Sequence, residues 1–87
     1  MPAVKTVMRK TRLTGSCQEW FPVVRENLSA HGYQNITADE HSLCLYADYD
    51  GNPACGCIFV TLVPSAVCNE TNVNTVVTVN LGGTSLC

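Results

Sequence analysis

Three observations predict an α+β fold, one amphipathic helix packed on a mostly antiparallel sheet in the order β-α-β-β-β. A capping sequence at Ser16 precedes apolar residues that recur at three- and four-residue steps, the mark of a helix with one buried face. Asp50-Gly51 sits between two alternating apolar runs, the strongest short-range sign of a hairpin. Val73, Thr75, Val77, Val79 and Leu81 alternate with Asn74, Val76, Thr78 and Asn80, the period of two that lines the faces of a strand. One helix laid on one sheet face is the economical way to bury both apolar surfaces.

Val4 to Leu13 mixes β-branched and long side chains with Lys5, Arg9, Lys10 and Arg12 and shows no helical stripe, so it reads as an edge strand guarded by charge. Gly15 ends it. Ser16-Cys17-Gln18-Glu19 has capping-box spacing, and Cys17, Trp20, Phe21, Val24 and Leu28 then mark one helical face within residues 17–31. Pro22 interrupts this reading, because a proline inside a helix removes one bond at a cost of about 3 kcal/mol. A short first turn followed by the main helix near Phe21, or a kink there, is expected. His31-Gly32 supplies the stop. Tyr33 to Glu40 reads as a connection with a weak strand start at Ile36.

The hairpin is expected to join strands at 42–49 and 54–63. If Asp50-Gly51 is a two-residue turn, opposed residue numbers sum to 101, and Cys44 faces Cys57. A four-residue loop is the main alternative. One face then carries Leu43, Leu45, Ala47, Ala54, Ile58, Val60 and Leu62, and the other carries Cys44, Tyr46, Asp48, Cys55, Cys57, Phe59, Thr61 and Val63. The expected core is Trp20, Phe21, Val24, Leu28, Leu43, Leu45, Ile58, Val60, Val77 and Val79. Pro64 to Asn72 reads as a nine-residue loop before the last strand, 73–81. Gly82-Gly83 should break that strand and leave a tail ending at Cys87.

The 87 residues make one small domain, 1–87, of the size where a staple often supplements the core. Six cysteines are a candidate staple, with 15 connectivities open to them in an oxidising compartment. Cys44–Cys57 is the favoured bridge under the two-residue turn, leaving Cys55 for Cys68 or Cys87. Met1-Pro2-Ala3-Val4-Lys5 contains no apolar run of the signal-peptide kind, so a mature region and an intracellular protein both stay open. Asn27-Leu28-Ser29, Asn35-Ile36-Thr37 and Asn69-Glu70-Thr71 match the glycosylation acceptor pattern and tip the balance slightly toward secretion over the cytoplasm. No segment is long enough to cross a membrane as an apolar helix.

Charged residues make up 14% of the chain and the net charge is −2, with four cations in the first thirteen residues and seven acids against Arg25 in the rest. Four cations without interleaved aromatics argue against nucleic acid. Cys55-Gly56-Cys57, completed by Cys44, is the sharpest chemical feature, but its spacing departs from the common zinc patterns, so buried thiols or structural disulfides are preferred to a redox or soft-metal site. Asp48, Asp50 and Asn52 lack the following glutamate of a calcium loop, and turn chemistry explains them. His31 and His41, the two histidines, read as a helix-end residue and a solvated one. No cofactor, metal or catalytic set is expected, and an enzyme is disfavoured. The reading is a small non-catalytic interaction module with an unknown protein partner, contacted through Tyr46 and Phe59 or the long loop. A thiol-redox or soft-metal protein using Cys44, Cys55 and Cys57 is the alternative, and a secreted, disulfide-stapled effector or inhibitor is the narrower form of the first.

Overall fold

In the computed structural model, which describes residues 4–52 and 54–80, Ser16 starts the helix as its chemistry requires. Its hydroxyl accepts from the Glu19 N–H at 3.3 Å, and Glu19 Oε2 accepts from the Ser16 N–H at 3.3 Å. The elements are β1 (Val4–Thr14), α1 (Cys17–Ala30), β2 (Tyr33–Asp39), β3 (Cys44–Tyr49), β4 (Gly56–Pro64) and β5 (Glu70–Asn80). The helix runs through Pro22 without a break, which corrects the expected restart near Phe21. Pro22 has no N–H for the Gln18 carbonyl, and both residues are exposed, so water can solvate that oxygen. Gly32, at φ 90, ends the helix as expected.

The five strands form one antiparallel sheet in the order β1-β5-β4-β3-β2. Four antiparallel steps separate β1 from β2, so both run in the same direction, and α1 carries the chain back from one edge to the other. The helix packs on one face, against β2, β4 and β5.

The additional strand, β2, escapes the period-two test for a structural reason. Its register against β3 shifts between Gln34 and Thr37, where Asn35 takes a φ of 55. This bulge lets odd-numbered Tyr33 and even-numbered Ile36 and Ala38 all pack against the core, which erases alternation from the sequence.

The hairpin register also differs from the expected one. Asp50 and Gly51 do form the turn, with φ 56 and 71, and the Asn52 N–H donates to the Tyr49 carbonyl at 3.0 Å. A second turn follows at once: the Cys55 N–H donates to the Asn52 carbonyl at 3.0 Å, and the Asn52 side chain accepts from the Ala54 N–H at 3.0 Å. Opposed residues therefore sum to 105, as in Cys44↔Thr61 and Tyr46↔Phe59, a slide of four residues from the expected pairing. An even slide keeps every side chain on its face. Ala54 is the exception, since it lies exposed in the turn.

Consequently the core is largely the expected one. Phe21, Leu28, Leu45, Ile58 and Val60 are buried together with Cys17, Ala47, Leu62 and Val73, and Trp20, Val24, Leu43 and Val77 pack at the rim. Val79 is a correction at 37% exposure, because its neighbours across the sheet are charged Lys5 and side-chain-free Gly56. The loop before β5 is residues 65–69 rather than nine residues, since Glu70, Thr71 and Asn72 already pair with β1. Pro53, Leu81, the break at Gly82-Gly83 and the tail with Cys87 lie outside the described residues.

Candidate interaction surface

The face of the sheet opposite the helix carries no second layer among the described residues. Its side chains follow from the register. Met8 pairs with Val76, Val76 with Phe59, Phe59 with Tyr46 and Tyr46 with Thr37, which makes one row across all five strands. Met8 is 75%, Phe59 42% and Tyr46 41% exposed. Tyr46 and Phe59, singled out from the sequence, thus stand directly opposed at the middle of this row.

Their spacing can be derived. The Leu62 N–H donates to the Leu43 carbonyl at 3.0 Å, and alternation from that pair makes Tyr46–Phe59 a non-hydrogen-bonded pair. At such positions the α-carbons lie only about 4.5 Å apart, so the two rings share one patch.

Polar rows flank the apolar one. On one side Asp48 stands opposite Cys57, which in turn pairs with Thr78. Hydrogen bonding to Cys57, with the charges of Cys57 and Asp48 nearby, holds the Tyr46 hydroxyl above its ordinary pKa of 10.0. Asp48 Oδ1 is buried and has no hydrogen-bond partner among the described residues. On the other side, Lys10, Asn74, Thr61 and Cys44 form a row, beside a concavity of about 420 Å³ that Lys10, Arg12, Val63, Asn72 and Asn74 help to line.

The structure does not assemble the three hairpin cysteines. Cys44 and Cys57 share the open face as expected, but the register sets them four residues apart along the strands, about 13 Å at 3.3 Å per residue, so they are not cross-strand neighbours. Both are free thiols, as are buried Cys17 and exposed Cys68. Cys55 is buried in the second turn. Among the described residues no three His, Cys, Asp or Glu side chains are grouped to hold a metal ion.

The other residues marked from the sequence have local roles. The His31 ring Nδ1 lies 2.7 Å from the Asn27 carbonyl, and the His41 N–H donates to Asp39 Oδ1 at 3.0 Å. Asp50 is a turn residue, and the Asn52 side chain is taken by the Ala54 N–H. Asn27, Asn35 and Asn69 are all exposed, although the Asn35 amide donates to the Gly51 carbonyl at 3.3 Å. Gly56 accommodates the neighbouring backbone: a Cβ there would lie 2.6 Å from the Thr78 carbonyl oxygen. Met8 was missed from the sequence, because its membership of the row depends on how β1 pairs with β5. No helix among the described residues is long and apolar enough to cross a membrane. Comparison with protein-family models, with curated proteins and with solved structures finds no match to this chain.

Proposed function

We propose that this chain is a small non-catalytic interaction module that contacts a protein partner through the open sheet face. The observation that carries the reading is the row Met8–Val76–Phe59–Tyr46, in which Met8, Phe59 and Tyr46 are exposed, two aromatic rings and a flexible thioether on a face the helix does not cover. Tyrosine, phenylalanine and methionine are enriched in the cores of protein interfaces, and the flanking Thr, Asn, Asp and Lys side chains supply a polar rim. A rigid sheet also presents these side chains with little ordering cost.

A photoreactive phenylalanine analogue at position 59 tests this in extract of the producing cells. It should crosslink a protein that the same analogue at Val23, exposed on the helix, does not. Tyr46→Glu should abolish the crosslink from position 59 while circular dichroism stays unchanged. Equal capture from positions 59 and 23 would overturn the reading. The narrower form, a secreted disulfide-stapled effector or inhibitor, is tested by whether the partner is extracellular and by a thiol count under denaturing conditions, in which six free thiols would overturn it.

A further inference from the structure

We propose that β1 is a docking edge that accepts an extended acidic segment of another protein as a sixth strand. This inference is independent of the open-face reading, because it concerns backbone groups at the sheet's rim. β1 is an 11-residue strand at the end of the sheet, and among the described residues no strand pairs with its outer edge. Its pairing with β5 runs without a register shift from Val4↔Asn80 to Thr14↔Glu70. The opposite edge, β2, is broken by the bulge and by the left-handed Asn35. β1 is therefore the regular template of the two.

The direction of its free backbone groups follows from one bond. The Gly15 N–H donates to the Asn69 carbonyl at 2.9 Å, so alternation turns the amides of Lys5, Val7, Arg9, Thr11 and Leu13 toward β5. Those of Thr6, Met8, Lys10 and Arg12 then point to the free edge, available to an added strand.

Charge identifies the occupant. Lys10 and Arg12 project on the open face, and Lys5 and Arg9 on the helix side, so the edge is cationic on both faces. A second copy paired through β1 would bring four cations against four, which disfavours self-association. An acidic strand meets opposite charge on both faces instead. The partial ion pair in place, Arg12 Nε to Glu70 Oε2 at 3.9 Å with Arg12 75% exposed, leaves most of this charge open to solvent.

The probe is the capped peptide Glu-Thr-Glu-Glu-Val-Val-Thr-Glu, which in antiparallel pairing sets its glutamates opposite Arg12, Lys10, Arg9 and Lys5. The control replaces each Glu by Gln. At an ionic strength of about 10 mM the acidic peptide should bind about tenfold more tightly than the control, and near 0.5 M the difference should vanish. Amide hydrogen exchange should slow at Thr6, Met8, Lys10 and Arg12, whereas the amides facing β5 should change little. The double variant K10E/R12E should lose the preference, and K5E/R9E, which alters the other face, should do the same if the first fails to fold. Equal binding of both peptides, no binding, or slowing confined to residues outside β1 would overturn the proposal. So would an oligothymidylate that slows the same amides as strongly, since that would make the edge a polyanion site.

Discussion

Thr71 is fully buried, and its hydroxyl donates to the Gly15 carbonyl at 2.8 Å, tying the start of β5 to the end of β1 just before the helix. Thr71→Val keeps the volume but strands that carbonyl, so denaturant unfolding should show a loss of about 1–3 kcal/mol, with Thr71→Ser closer to the parent. Tyr46 gives a pH prediction. Its folded pKa lies above the unfolded value, so the associated stability is present below pH 10 and is lost as pH rises through the folded pKa. Tyr33, partly desolvated beside Tyr49, also lies above 10, so absorbance titration should show two tyrosinates with midpoints above 10. Tyr46→Phe should remove one of them, and Cys57→Ser should move the Tyr46 midpoint down, because Cys57 is its main cause. Alkylation of the folded protein should modify exposed Cys68 first and reach Cys17, 3% exposed, only on unfolding.

Among the elements, the helix offers the simplest test of local energetics. Pro22→Ala restores an N–H facing the Gln18 carbonyl within a helix that is already continuous. It should raise unfolding free energy by about 1–3 kcal/mol, and an unchanged or lower value would show that the proline ring fits its site without cost. The helix was legible because capping residues and a 3.6-residue stripe are both local signals. The strand β2 was not, because its bulge mixes odd and even residues on one face, and Asn, Gln and Asp weaken its strand character. The hairpin was half legible. Asp50-Gly51 announced its turn, but nothing local announced that the chain would turn again from Asn52 before pairing. The four-residue slide removed the expected Cys44–Cys57 contact and left the sorting of faces intact.

At the scale of the molecule, the crossover through α1 puts both edges of the sheet at strands that flank the helix, and it leaves the far face to β-strand side chains alone. Tyr46 and Phe59 were assignable to that face from alternation. Their direct opposition, and the extension of the row to Val76 and Met8, came only from the strand order. Everything proposed for the open face depends on this opposition. The most direct measurement is a proton NMR spectrum of cross-strand α-proton contacts, which are short at non-hydrogen-bonded antiparallel pairs. Strong contacts should join Tyr46 to Phe59, Cys44 to Thr61 and Asp48 to Cys57, whereas a strong contact between Cys44 and Cys57 would contradict the register and the row built on it.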